Sequence, residues 1–458
     1  MLFCTYEYFA FFLTVVALFY LAPRQWRKPI LLAASYLFYI SWNWRFVPLL
    51  AGLTLIDYVA AIWIERSAPG RRKLALLVSL GANLGFLGFF KYYNFAASNL
   101  AAAFGLADDR WRLAVILPLG ISFHTFQSIS YVVDVYRGEQ RSVRRFLDYA
   151  LFISFFPQLV AGPIVRARRF FGDLTGWSPP TRDEIQKGVF LMLLGVAKKL
   201  ALADNFAAIA DRYFAGDAAT GAWTGVLAFS MQIYFDFSGY TDIAIGSALL
   251  LGFRFPVNFQ RPYLAVSITD FWRRWHISLS TWLRDYVYIP LGGNRGSRLR
   301  TYRNLLLTML VGGLWHGANW TFLVWGGYHG VLLAIERALG VSRAQEGKWS
   351  LRYAPRCLLT FLLASVGWVF FRAASLRQAG AILGDLLHVP VAVRPIEPAL
   401  LVLLGCTLLL AIAEESSKAL DKLRFAPLWA VSATGGMLLF VTELFATGSR
   451  IPFIYFQF

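Results

Sequence analysis

Long apolar runs separated by short polar knots set the pattern of this chain. Stretches 3–22, 30–46, 47–64, 74–91, 112–135, 146–162, 187–204, 221–237, 356–372, 399–413 and 428–446 are apolar almost throughout, and 303–337 supplies one or two more. A helix needs about 20 such residues to cross hydrocarbon, so the pattern predicts about 11–13 spans. The expected fold is all-α, a polytopic membrane protein, with residues 1–458 as one membrane-embedded domain. Composition agrees: 58% of residues are hydrophobic, 15% are charged, and mean hydropathy is +0.53. That much apolar surface exceeds what one aqueous core can hide, so lipid is part of the solvent. The opening MLFCTYEYFAFFLTVVALFYL has no basic n-region and no A-x-A-like site after it, and reads as a retained span. No internal repeat or low-complexity tract stands out.

One region departs from the pattern. Residues 254–302 contain no run long enough to span, and aromatics alternate there with Arg273, Arg274, Arg284 and Asp285. This is the composition of interfacial or re-entrant helices at headgroup level. Within it, GGNRGSR reads as a loop, cytoplasmic by its charge. The net charge of +18 would suggest nucleic acid in a soluble protein. Here the cations collect in loops suited to the cytoplasm and its anionic leaflet, without a basic-aromatic groove, and nucleic acid is not expected as a partner.

Loop 23–28 holds Arg24, Arg27 and Lys28, and loop 65–73 holds Arg66, Arg71, Arg72 and Lys73, whereas Arg45 stands alone between them. Both basic loops are therefore expected inside, with the N-terminus outside. Arg137, Arg141, Arg144 and Arg145 also belong inside. The alternation then fails at Arg166, Arg168 and Arg169. Either segment 146–162 does not cross fully, as buried re-entrant backbone allows, or the span count is off.

Between Arg303 and Glu336 the chain is formally neutral, yet GGLWHGANW places His316 there. One helix over these 32 residues would run about 48 Å at about 1.5 Å per residue, against a hydrocarbon core of about 30 Å. A break is expected at Gly312-Gly313 or at His-Gly-Ala-Asn, with His316 near it. An ionisable group at membrane depth is costly and is usually tied to a pathway or reaction. Imidazole suits proton transfer near neutral pH. His276, in FWRRWHISLS, is the second candidate. His124 and His329 are expected to bond a neighbouring helix, and His388, beside a proline, has no assigned role. Asp236 and Asp242 lie close together around YFDFSGYTD, and Asp57 and Asp134 are placed at the ends of spans. Such carboxylates could act as acid and base, or hold arginines between helices; the holding role is favoured. Cys4, Cys357 and Cys406 read as small buried hydrophobes, with no CxxC and no zinc-ligand spacing. No metal is expected. The absence of HExxH, GxSxG, P-loop and GxGxxG motifs disfavours zinc proteolysis, α/β-hydrolase chemistry and nucleotide hydrolysis.

Several longer stretches carry a resemblance. LPLGISFHTFQSISYVVDVYRG, FFPQLVAGPIVR, YFDFSGYTDIAIG, SITDFWRRWHISLSTWLRDYVYIPLGGNRG and GGLWHGANWTFLVWGGYHG run in order from about 117 to 330. They resemble the membrane-bound O-acyltransferase superfamily, in its bacterial alginate O-acetyltransferase-like branch, and weaker likeness covers nearly the whole chain. The resemblance implies helices around a central tunnel and an inner-membrane, multi-pass location. It implies His316, of the WHG motif, as the catalytic residue and His276 as the second polar position. Trp275, Ser278, Asn319, Arg273, Arg274, Asp236 and Asp242 are then expected to contact substrate. A neutral imidazole kept uncharged by apolar surroundings can take the proton of an acceptor hydroxyl, with His276 orienting the thioester or polarising its carbonyl. Acetyl-CoA is the implied donor, with no permanently bound cofactor. Arg273, Arg274, Arg284 and Arg295 would steer its phosphates or contact lipid headgroups. A periplasmic acetylase or acceptor protein and a polysaccharide synthase complex are the implied partners. His124 departs from the family's aromatic at that position, and the region after residue 338 is shorter than in the alginate enzymes. Two other readings compete: a transporter or flippase exporting an acyl carrier or glycan, for which inverted repeats are missing, and a scaffold anchoring a secreted acetylase.

Overall fold

A computed structural model describes residues 1, 3–106, 111–159, 162–217, 220–341, 351–388, 402, 405, 407, 428–446 and 453. Every regular element among them is helical, as the apolar runs predict. The chain forms two compact units, one of residues 1–188 with 244–256, the other of 189–243 with 257–458.

In the first unit, α1 (Tyr6–Leu21) starts on Thr5, whose side chain accepts from the Tyr8 amide at 3.3 Å. Helices α2 (Arg24–Asn43) and α3 (Val47–Arg66) match two predicted spans. Asn43 leaves helical geometry at φ −164° and its side chain accepts from the Arg45 amide, which marks the division between them. Helix α4 (Pro69–Leu87) continues through a π-helical turn into α5 (Tyr93–Ala103). Arg24–Arg66 and Pro69–Ala103 are long and apolar enough to cross a bilayer, as is Ala354–Arg372 in the second unit.

Three expectations need correction here. The span placed at 112–135 becomes helical only at Ile121, in α6 (Ile121–Arg137), because Pro118 and Gly120, the latter at φ 69°, break the backbone first. Asp57 lies in the middle of α3 rather than at a span end. It is fully buried and accepts hydrogen bonds from Ser79 (2.6 Å) and Asn83 (2.8 Å) of α4, clasping the two helices. Segment 146–162 splits at Phe155 into α7 (Phe146–Ser154) and α8 (Phe156–Leu159). At about 1.5 Å per residue, α7 is only about 14 Å long and cannot cross alone. This fits a segment that does not cross fully, the first of the two explanations for the failed charge alternation. The arginines that caused it lie at α9 (Ala167–Thr175), which buries Ala167, Phe170, Phe171 and Leu174 on one face and exposes Arg168 and Arg169 on the other.

The chain passes between the units within α10 (Arg182–Ala197) and α12 (Ala222–Leu250). A π-helical turn, Lys198–Ala203, joins α10 to α11 (Asp204–Phe214). Helix α12 has 29 residues, well beyond the predicted 221–237. Up to Ser297, residues 254–302 hold only short elements: a 3₁₀ turn (Pro262–Leu264), α13 (Ile268–Arg274), α14 (Ile277–Leu283) and one π-helical turn, in line with a segment that does not span; the first turn of α15 follows from Arg298.

The region 303–337, neutral between Arg303 and Glu336, becomes two helices, α15 (Arg298–His316) and α16 (Trp320–Ala338), joined by Gly317–Asn319. The break falls at the second predicted place. Gly312-Gly313 is not a break. A Cβ on Gly313 would collide with the Phe322 carbonyl, and one on Gly326 with that of Met309, so these glycines let two antiparallel backbones touch. Gly313→Leu should force α15 from α16 and cost about 1–3 kcal/mol or more. Thermal unfolding of the purified protein measures this, and a midpoint equal to the wild type would count against the close contact. Helices α17 (Ala354–Arg372) and α18 (Leu376–Leu387) follow, then a helix over Leu428–Phe445. The span expected at 399–413, with Cys406, lies outside the described residues except for 402, 405 and 407. Cys357 is buried and donates to the Leu264 carbonyl, and Cys4 is half-buried.

Candidate active site

His316 is the last residue of α15, placed where the helix must end. Gly317 is extended at φ −168°, and a Cβ there would strike the Phe322 ring. The imidazole is 4% exposed. Three aromatic rings stand nearly perpendicular to it: Trp315 at 4.9 Å, Trp325 at 5.0 Å and Phe371 at 5.0 Å. These rings hold the imidazole in place by edge-to-face packing.

His276 is held more strictly. It sits between α13 and α14 at φ 43°, a left-handed conformation that costs a non-glycine residue about 1–2 kcal/mol. Asn258, itself fully buried, anchors it from three sides. Its Oδ1 accepts from the Ser278 amide at 3.1 Å and the Ser278 hydroxyl at 2.9 Å, and its carbonyl accepts from the Ile277 amide at 2.9 Å. An oxygen that accepts from a backbone N–H must be the amide oxygen, so the His276 Nδ1 at 3.2 Å is the donor. In the neutral ring, Nε2 is then an acceptor. His276 lies edge-on to Phe237 (4.7 Å) and against Trp315 (5.8 Å), so both histidines pack on one indole.

A fourth aromatic layer holds His329. Trp325 lies between it and His316, 5.1 Å from His329, and Trp272 is 5.2 Å away. His329 is fully buried and neither of its ring nitrogens has a hydrogen-bond partner among the described residues. The expected bond to a neighbouring helix is therefore not made; aromatic stacking holds the ring instead. Nδ1 of buried His124 likewise has no hydrogen-bond partner among the described residues. Trp325 Nε1 and Asn258 Nδ2 are also buried donors without a partner among the described residues. Buried polar groups of this kind are rare, and each marks a place for a polar ligand or water.

The paired aspartates hold lysines rather than the arginines expected. Lys199 lies 2.6 Å from Asp204 and 2.9 Å from Asp236, with all three side chains at most 3% exposed. Lys198 pairs with Asp242 at 2.9 Å. Removing one partner from such a buried group typically costs about 3–5 kcal/mol. Lys199→Met should therefore lower the yield of folded protein far more than Asp236→Asn. Equal yields by fluorescence size-exclusion chromatography would contradict this.

The remaining predicted contacts are placed as follows. Trp275 is buried, stacked on Phe271 (5.5 Å) and against Trp368 (4.8 Å). Ser278 serves Asn258. Asn319 caps α16, accepting from the Thr321 amide at 3.1 Å and donating to the Ala374 carbonyl at 3.3 Å. Arg273 is exposed, Arg274 pairs with Asp270 at 3.0 Å, and Arg284 pairs with Asp285 at 2.8 Å. Asn258 was not foreseen, and nothing in PVNFQRP distinguishes it. Lys198 and Lys199 left a readable sign, two cations inside the predicted span 187–204. Among the described residues no group of three His, Cys, Asp or Glu side chains could hold a metal.

Residues 139–355 match the model of MBOAT, the membrane-bound O-acyltransferase family. The chain is 48% identical over 378 residues to the probable alginate O-acetylase AlgI of Azotobacter vinelandii, covering 81% of this chain and 74% of that protein. It is 41% identical over 392 residues to the peptidoglycan O-acetyltransferase of Helicobacter pylori, covering 78% and 72%. The teichoic acid D-alanyltransferase of Bacillus subtilis is more distant, 33% identical over 237 residues, covering 47% and 58%. The relatives are enzymes, which sets aside the transporter and scaffold readings. The chain belongs to the membrane-bound O-acyltransferase family, and it is a membrane O-acetyltransferase.

Proposed function

We propose that the protein transfers acetyl from acetyl-CoA on the cytoplasmic face to a hydroxyl on the periplasmic face of a bacterial inner membrane, with His316 as the base. The observation that carries this reading is the position of His316: the end of a helix, walled by three aromatics, on the same indole as a second histidine of fixed tautomer. The acceptor oxygen attacks the thioester carbonyl as its proton passes to the His316 ring. The tetrahedral intermediate collapses, the C–S bond breaks, and the imidazolium returns the proton to the leaving thiolate. His276, with Nδ1–H committed to Asn258, offers only a lone pair at Nε2. It therefore orients a donor such as the acceptor hydroxyl and does not polarise the carbonyl. Trp325 Nε1 and Asn258 Nδ2 are the buried donors available to the developing oxyanion. Passages reaching His316 from both faces belong to the same proposal. So does steering of the donor phosphates by Arg273, Arg274, Arg284 and Arg295, of which Arg274 and Arg284 are already offset by aspartates.

The acceptor is an envelope or exported polysaccharide, or a periplasmic acetylase that passes the group onward beside a polysaccharide synthase complex. Identity to the alginate enzyme is the higher of the two and favours an alginate-like polymer. Expression in a host deleted for its own alginate O-acetylase should restore acetyl esters on the polymer, read by ester release from purified alginate. Restored acetylation of peptidoglycan but not of alginate, in a parallel host, would redirect the acceptor. Acetylation of neither would contradict the reading.

A further inference from the structure

A cavity of about 240 Å³ in the first unit is separate in residues and chemistry from the histidine site. Arg24, Arg27 and Lys28, at the start of α2, line one side. This is the wrong charge for that place. A helix N-terminus carries about half a positive charge and favours anions. Here the first turn has no acidic residue, and Pro23 supplies no side-chain cap. Lys28 is offset by Asp148 at 2.8 Å. Arg24 and Arg27 form no ion pair among the described residues. Arg27 lies over the rings of Trp177 (4.5 Å) and Phe19 (5.3 Å), and its Nε is buried without a hydrogen-bond partner among the described residues. The guanidinium is thus held rigid by aromatic faces with a donor unmet. The lining also includes apolar Leu31, Leu174 and Phe253. By the charge distribution of the loops, this end of α2 faces the cytoplasm and its anionic leaflet.

We propose that this cavity is a phosphate-binding site, its phosphate carried by an anionic glycerophospholipid. Arg24 and Arg27 would bind the phosphate together with the α2 N-terminus, and the proximal acyl carbons would lie along Leu31, Leu174 and Phe253. A lipid so bound pins α2 against the α9 end of the unit and neutralises the repulsion among the cations.

The test is thermal unfolding of the full-length, delipidated protein titrated with short-chain phosphatidylglycerol, phosphatidylcholine of equal chain length, and inorganic phosphate. Phosphatidylglycerol should raise the midpoint in the wild type. Arg24→Gln should raise the half-saturating concentration roughly tenfold, the loss of one charge-assisted hydrogen bond, and Arg24→Gln/Arg27→Gln should abolish the shift. Arg24 is exposed and forms no ion pair among the described residues, so the single variant stays informative if the double variant is unstable. Inorganic phosphate giving the same Arg24-dependent shift supports the phosphate site and assigns it a soluble source. Equal responses of wild type and Arg24→Gln to every probe overturn the proposal.

Discussion

Replacing His316 with Gln is expected to lower the rate of acetyl transfer by about two to four orders of magnitude while leaving the folded protein intact. The size follows from what a positioned base contributes, about 10²–10⁴-fold. The fold survives because three aromatic rings, Trp315, Trp325 and Phe371, pack around the imidazole at about equal distances. Gln keeps the volume and the polar end but cannot cycle a proton. The variant should match the wild type in expression and unfolding midpoint, with the loss in kcat and little change in KM for the donor. A rate within a few-fold of wild type would remove His316 from the chemistry.

Asn258→Ala is expected to have the second largest effect, on stability and activity together. The change deprives the Ser278 amide, the Ser278 hydroxyl and the His276 Nδ1–H of their acceptor at once. Each buried donor left unmet costs about 1–3 kcal/mol, so the loss is several kcal/mol in all. The left-handed backbone of His276 depends on that support and should relax, releasing the ring. Asn258→Asp keeps the acceptor oxygen and should restore part of the folded population; it also removes the Nδ2 donor and adds a buried charge. Folded protein in the order wild type, Asp, Ala, with transfer reduced about 100-fold or more in Ala, fits the arrangement. Full activity in Asn258→Ala would mean that His276 needs no anchor.

The parts legible in the sequence were those decided by local pattern. Apolar length located most helices, the mixed segment from 254 to the start of α15 did prove to hold only short ones, and the break that follows His316 did divide a run too long to span. What stayed hidden depends on partners distant in the chain. Gly312-Gly313 looks like a hinge until Phe322 and Gly326 are seen against it. Nothing near Asn258 announces that a residue 18 positions away will lean on it. The aspartates of α12 were noticed, but their lysines lie on another helix, 37 positions from Asp236 in one case as Lys199. Segment 146–162 has the composition of a span, yet Phe155 breaks it, and only the misplaced arginines of α9 hinted at that.

The central claim is that one imidazole serves a donor from one face of the membrane and an acceptor from the other. Sealed vesicles of known orientation, given radiolabelled acetyl-CoA on the cytoplasmic side and polymer or acceptor protein only on the opposite side, test it directly. Label should appear on the far side as an ester with the wild type and fall to background with His316→Gln. Far-side ester formed equally by both proteins would contradict the account.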